Sequence, residues 1–335
     1  MQATPKAAVE LALVSRPAIS LNGLTGRIRT LGIRRPGTAE LVCFAKKLVL
    51  RACPDFLLQA AKKIHYARVL RSISEDEEPD IKLVKYLVKP GACVADIGAN
   101  FGVHTKFSSE LVGQAGHVYS VEPIPLTFDI LRSNVKRLGL GNVDVINCAV
   151  SNFDGAVTME VPLYEEGGEN FYEAKIVPGG ETDRKLRNVT VDARTIDTLL
   201  ADKPEVAFIK LDVEGHELSC VKGAIRTIGR ARPAWLIEIA GDPDDPDANA
   251  RETFAILADY GYDAFWFDGR NLVERRPGDT SINYFFLVPE HVEAMIDAGF
   301  PASRVRRRHE ALEDVPAAAH PALAARLREV TAGAA

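Results

Sequence analysis

Apolar and polar positions along this chain follow two rhythms. Up to about residue 72 the apolar residues recur at helical spacing, over 7–14, 39–52 and 57–70. Turn signals interrupt them at Asn22-Gly23, Arg35-Pro36-Gly37 and Cys53-Pro54, which predicts a helical arm with irregular joints. An acidic break, Ser-Glu-Asp-Glu-Glu-Pro-Asp over 74–80, follows. Pro79 then suits the first turn of a helix that runs to about Val88 and stops at Pro90-Gly91.

Beyond residue 90 short apolar runs alternate with amphipathic segments. Strands are predicted at 93–97, 117–121, 143–150, 208–211, 235–239, 262–267 and 282–288. Helices are predicted at 103–112, 126–138, 217–228 and 251–260, with Gly139 and Gly229 as stops. Buried strands separated by helices imply an α/β fold, a parallel sheet covered on both faces. The last two strands have no helix between them, which predicts one antiparallel strand at the end. Two further strand-like runs, 156–161 and 189–193, enclose a polar, glycine-rich loop at 165–181. Tyr164, Phe171 and Tyr172 stand there among Glu165, Glu166, Glu169 and Asn170, a composition suited to hydroxyl and sugar-face contacts. A loop of that length inside a compact domain is either functional or a solvated insertion.

Charge sharpens the division. The chain has 335 residues and a net charge of −5. Residues 1 to 72 hold 13 Lys and Arg against Glu10, Glu40 and Asp55, a net of +10, so the rest carries −15. The expected organisation is a basic arm over 1–74, one catalytic domain over 75–300, and a basic then Ala-rich tail over 301–335. A pI near 5.9 argues against a chain-wide nucleic-acid surface. Five Cys without a CxxC pair read as reduced thiols, and 7–14 is broken by Glu10, so a cytoplasmic protein without a signal peptide is expected. No run approaches the ~20 apolar residues needed to span a bilayer.

Candidate chemistry lies at strand ends. The first strand closes in Asp96-Ile97-Gly98-Ala99-Asn100-Phe101-Gly102, opening a helix that contains His104 and Thr105. Glycines belong where backbone turns sharply or passes close to a ligand. An acid two residues before Gly98 would repel the pyrophosphate of a dinucleotide site. It favours a ligand that is cationic near the turn, and S-adenosylmethionine, with its sulfonium and ammonium, fits. Glu122 closes the next strand, placed to accept ribose hydroxyls. A later strand ends in Ile209-Lys210-Leu211-Asp212-Val213-Glu214-Gly215-His216-Glu217. Lys210 reads as an ion-pair partner of Asp96 or Glu238, and Glu214 and Glu217 as candidates to cap the next helix. Asp212, Glu214 and Glu238 are oxygen donors that would suit Mg²⁺. A neighbouring ammonium competes with a cation, so an ion-pair network is expected there and no metal.

These pieces, with Lys89-Pro90-Gly91, Asn134, Cys148-Ala149-Val150-Ser151 and Pro233 through Glu238, resemble the FkbM family of S-adenosylmethionine-dependent methyltransferases. The resemblance covers about residues 75 to 290, and the block from Lys210 to Glu217 is its most specific part. It implies a Rossmann-like class I methyltransferase fold: a mostly parallel seven-stranded sheet with one antiparallel strand, helices on both faces, here preceded by the helical arm. It also implies O-methylation of a sugar, glycan, glycolipid or polyketide-type hydroxyl. Gly98, Asn100, Gly102 and Thr105 are then expected around the methionine portion with Asp96, and Glu122 on the ribose. Asn134, Ala149 and Ser151 are expected at the adenine edge or in its supporting shell. Asp212 is the first choice for contacting the acceptor hydroxyl or orienting the methyl donor, with Glu214 beside it, and His216 is the candidate base, since imidazole titrates near neutrality. His104 is read as packing. An N-methyltransferase and an inactive cofactor-binding scaffold are the competing classes. The arm is a candidate oligomer contact.

Overall fold

The computed structural model describes residues 55–162, 175–176, 186–279 and 281–307. The arm segments 7–14 and 39–52, the aromatic loop residues and the Ala-rich tail lie outside the described residues. The helical part of the arm that is described is α1 (Asp55–Ser72), followed by α2 (Ile81–Leu87).

The strand-helix alternation then unfolds as read: β1 (Cys93–Ile97), α3 (Val103–Val112), β2 (His117–Val121), α4 (Pro125–Leu138) and β3 (Val143–Ile146). After an excursion, it resumes with β8 (Val206–Leu211), α6 (Glu217–Lys222), α7 (Ile225–Ala231), β9 (Ala234–Glu238), α8 (Asn249–Asp259), β10 (Asp263–Phe267), β11 (Leu272–Glu274), β12 (Asn283–Leu287), α9 (Pro289–Asp297) and β13 (Val305–Arg306). The strands order as β13-β11-β10-β12-β9-β8-β1-β2-β3. β3, β2, β1, β8 and β9 are parallel, and β12 runs antiparallel to both β9 and β10. That is the expected seven-stranded sheet, widened to nine by β11 and β13 at one edge.

The sheet is apolar on both faces because its strands alternate between two cores. Trp235, Ile237, Tyr284 and Phe286 face one cluster with Ala95 and Ile97. Leu236, Phe285 and Leu287 face the other with Val94 and Phe208. This two-sided burial is what a parallel sheet under helices requires.

Four readings of the sequence need correction. The single strand expected over 143–150 is two: β3 stays in the large sheet, while β4 (Ala149–Val150) joins a second one. The break falls at Asn147, whose amide donates to the carbonyls of Glu122 (2.8 Å) and Pro123 (2.9 Å) instead of continuing a ladder. The helix expected over 217–228 is broken at Gly223, where a Cβ would overlap the backbone carbonyl of Ser151. Gly229 does not end a helix; α7 passes through it and stops at Arg232, in the left-handed region before Pro233. Finally β11, α9 and β13 carry too few residues of clear periodicity to be read, although Pro289 starts α9 at a position that suits it.

The excursion between β3 and β8 forms a four-stranded sheet, β4-β7-β5-β6, from β5 (Gly155–Pro162), β6 (Lys175–Ile176) and β7 (Leu186–Arg194), followed by α5 (Ile196–Leu199). β5 and β7 pair antiparallel from Gly155↔Ala193 to Pro162↔Leu186.

α1 is built into the strand-helix body. Leu70 and Ile73 are buried with Ile81, Phe101, Phe107 and Ile130, and the Tyr66 ring lies 4.8 Å from that of Phe101. Phe101 belongs to the glycine turn, so α1 supports the site from behind. Leu70→Ala is expected to cost about 2–5 kcal/mol, read as a lower urea midpoint with an unchanged slope. Phe56→Ala, at an exposed position, should stay within about 0.5 kcal/mol. Equal effects of the two would mean that α1 does not contribute to the core.

Candidate active site

The turn after β1 is held by close backbone contacts. The Gly98 and Ala99 amides both donate to the Val121 carbonyl, at 3.0 and 2.9 Å, which folds the turn over the end of β2. The Asp212 amide donates to the Ile97 carbonyl at 3.0 Å. Gly98 has φ +76, and a Cβ there would overlap the Asp212 carbonyl oxygen. Only glycine lets the ends of β1 and β8 meet this closely. Gly102 has φ +103, and a Cβ would press on the Leu131 side chain at 2.8 Å. Asn100 takes φ +52 without being glycine, an uncommon conformation for which asparagine is suited.

Glu122 ties the same turn to the end of β2. Its carboxylate accepts from the Asn100 amide at 3.0 Å and the Ile124 amide at 2.9 Å. The group is buried, and burial pushes its pKa up to about 7 against the pull of those amides. Asp96 is fully buried at the end of β1. The Thr105 hydroxyl donates to its Oδ2 at 2.6 Å and lies 2.9 Å from the Ser120 hydroxyl. Asp96 Oδ1 has no hydrogen-bond partner among the described residues. Burial raises the Asp96 pKa, while the Lys210 ammonium pulls it back. In the sheet register Lys210 stands beside Asp96. Its Nζ lies 3.0 Å from Asp212 Oδ2 and 3.5 Å from the Gly98 carbonyl.

Beyond Asp212 the chain bends through two left-handed residues, Glu214 at φ +52 and Gly215 at φ +95. Carboxylate oxygens of Asp212, Glu214 and Glu238 lie within 4.8 Å of one another. That spacing would admit a divalent cation, and Asp212 is also ion-paired with Lys210. Glu217 starts α6 and accepts from the Gly215 amide at 2.7 Å. His216 is half-buried, and burial lowers its pKa, which favours the neutral imidazole. Its Nε2 lies 2.9 Å from the Ser151 hydroxyl oxygen.

The structure thus gathers Asp96, Gly98, Asn100, Gly102, Thr105, Glu122, Asp212, Glu214 and His216 at the carboxyl ends of three adjacent strands. Open α/β sheets bind ligands there. The three residues expected at the adenine edge or in its supporting shell make the following contacts. The Asn134 amide donates to the Phe101 carbonyl at 2.8 Å and braces the glycine turn. Ala149 is buried with Ile124, Val157 and Val191 under the second sheet. Ser151 meets His216.

Sequence reasoning missed Asp80, whose Oδ2 accepts from the Asn283 amide at 2.8 Å. Burial and the nearby Glu238 carboxylate raise its pKa to about 6, against the pull of the Asn283 hydrogen bond. Asn283 itself pairs with Glu238 across β12 and β9. The partners are 203 positions apart, and no local motif announces them.

The donor set suits one kind of ligand. Asp96, Glu122 and Asp212 face a single ammonium, so the turn is electron-rich. Glu122 retains acceptor capacity beyond its two amides. A cationic ligand with vicinal hydroxyls satisfies both features, whereas a phosphate would meet repulsion.

Comparison with known proteins agrees. Residues 96–264 match the methyltransferase FkbM domain, half of the chain. Hexuronic acid methyltransferase AglP of Haloferax volcanii is 27% identical over 220 residues, spanning 66% of this chain and 81% of that protein. A probable cobalt-precorrin-6B C(15)-methyltransferase of Saccharolobus solfataricus is 24% identical over 191 residues, 56% of this chain and 92% of its own. Among solved structures, methyltransferase FkbM from Methylobacillus flagellatus superposes with a TM-score of 0.38 at 20% identity. It spans 59% of this chain and 44% of that one. An acidic, glycine-turned sheet edge and a family match that begins at Asp96 lead to one assignment: this chain belongs to the FkbM family and is an S-adenosylmethionine-dependent methyltransferase.

Proposed function

We propose that the enzyme methylates a hydroxyl oxygen of a sugar, a sugar-bearing glycan or glycolipid, or a polyketide-type product. The observation that carries this reading is the trio at the end of β8. Lys210 holds Asp212 at 3.0 Å, and His216 follows four residues later with its imidazole favoured in the neutral form. A hydroxyl needs its proton removed as it attacks, and a neutral imidazole accepts one. The hexuronic acid named for the Haloferax relative supports a sugar acceptor. We also place the enzyme in the cytoplasm, supported by free, buried Cys93, Cys148 and Cys220. No helix among the described residues is long and apolar enough to cross a membrane.

When bound, the cofactor supplies an electrophilic methyl group on a sulfonium. In this reading Glu122 holds its ribose hydroxyls, and the turn from Gly98 to Gly102 lies along its methionine portion. Asp96 sets a negative potential beneath the cationic part, with Thr105, itself held by Ser120, orienting its carboxylate. Thr105 and Asn134 act through the loop they brace. Asp212 receives the acceptor hydroxyl, with Glu214 beside it. Fixing acceptor and methyl in line is worth on the order of 7–11 kcal/mol of barrier.

His216→Ala should lower turnover at saturating acceptor by roughly 10²-fold, the lower end of what a positioned base supplies, with cofactor Kd little changed. Turnover within a few-fold of wild type would remove His216 as base. An unchanged rate in the Asp212→Asn, His216→Ala double variant would favour a nitrogen acceptor instead.

Glu122 makes cofactor affinity depend on pH. Below its pKa of about 7 the carboxyl carries a proton and accepts hydroxyls poorly. Affinity should therefore rise with pH through neutrality and level off above it, with proton release on binding. Titration calorimetry in two buffers of different ionisation enthalpy checks this. In Glu122→Gln the affinity should fall and its pH dependence flatten.

A further inference from the structure

His216 presents two ring nitrogens, and the structure treats them differently. Nε2 lies 2.9 Å from Ser151 Oγ. Nδ1 has no hydrogen-bond partner among the described residues. The Ser151 hydroxyl also reaches Asn152 Oδ1 at 3.3 Å. A hydroxyl has one proton to give and can accept as well. If it donates to Asn152, its oxygen is left to accept from Nε2–H, and the lone pair of the ring then sits on Nδ1. If it donates to Nε2, the ring proton moves to Nδ1 and that nitrogen is no base.

Ser151 is held firmly for this task. It is fully buried; its amide donates to the Arg194 carbonyl at 2.9 Å, and the Cys220 thiol donates to the preceding Val150 carbonyl at 3.2 Å. Gly223 exists as glycine because any side chain there would strike the Ser151 carbonyl. β4 and the α6–α7 break therefore close on each other around the Ser151–His216 contact. A buried hydroxyl pinned at both backbone neighbours makes a stiff support, as catalytic side chains require.

We propose that Ser151 is a positioning residue that accepts Nε2–H of His216 and thereby keeps Nδ1 as the proton-accepting nitrogen. The proposal rests on the reading of His216 as base. As the acceptor oxygen bonds to the methyl carbon, the carbon–sulfur pair stays on sulfur. The hydroxyl proton passes to Nδ1, which leaves an imidazolium whose Nε2–H remains on Ser151.

The test uses the full chain labelled with ¹⁵N-histidine. Long-range ¹H–¹⁵N correlation reports which nitrogen of neutral His216 carries hydrogen, and the His216→Ala spectrum assigns the signal. Nε2–H in the wild type, shifting toward a mixture in Ser151→Ala, supports the proposal; Nδ1–H in the wild type overturns it. By kinetics, Ser151→Ala should lower kcat about 10-fold, with acceptor KM and cofactor Kd within about 2-fold. Adding it to His216→Ala should cost nothing further, because the two act as a unit. Should Ser151→Ala destabilise the fold, Asn152→Ala, at an exposed position, must move the tautomer in the same direction; no movement overturns the proposal. A normal kcat in Ser151→Ala beside a low one in His216→Ala overturns the positioning role and keeps the base. A normal kcat in His216→Ala removes the base itself, and with it the catalytic meaning of Ser151, whatever the spectrum shows.

Discussion

The site depends on one close approach of two backbones. The β1 turn and the end of β8 meet at Gly98 and Asp212, with the Asp212 amide bonded to the Ile97 carbonyl and no room for a Cβ between them. That contact sets the distance between the glycine turn, which we propose borders the cofactor, and the residues from Asp212 to His216, which we propose border the acceptor. Methyl transfer requires acceptor oxygen, carbon and sulfur in line, so the spacing of these two strand ends is a catalytic parameter. A larger residue at position 98 would separate them before it touched any ligand.

A second constraint is charge. Asp96, Glu122 and Lys210 are all buried, and Asp212 is nearly so. Ionised groups away from water persist only when paired or hydrogen-bonded. Lys210 pairs with Asp212, Thr105 donates to Asp96, and two backbone amides serve Glu122. The balance still leaves more carboxylates than cations. A ligand with a sulfonium and an ammonium reduces that imbalance, which links the buried electrostatics of the sheet to cofactor choice. The overall −5 conceals both this cluster and the basic front of the chain.

The basic front is itself divided. Its end, α1 with Ile73 just beyond it, packs Leu70 and Ile73 against Phe107 and Ile130 and lays Tyr66 against Phe101 of the glycine turn. The acidic segment 74–80 separates charge but not cores. Asp80, the last residue of that segment, reaches the carboxyl edge through Asn283. Composition marked the change of charge faithfully and had no means of marking where the packed body begins.

Much of the architecture was legible because it is local. The ends of β1, β2 and α4 follow from apolar runs closed by Gly98, Glu122 and Gly139, and the acid-glycine turn with the block from Lys210 to Glu217 identifies the family. These patterns need only a residue's near neighbours in the chain. What stayed hidden came from contacts between distant segments. Asn147 diverts the chain into a second sheet by bonding carbonyls about two dozen positions upstream, and Gly223 breaks a helix because of Ser151. Asn134 braces the glycine turn through the Phe101 carbonyl, 33 positions away, and Ser151 meets His216, 65 positions away. Residue types along the chain thus settle which elements form and which chemistry they carry. Which polar groups end as partners is settled by packing, because burial forces each one to find a donor or acceptor wherever the fold has placed it.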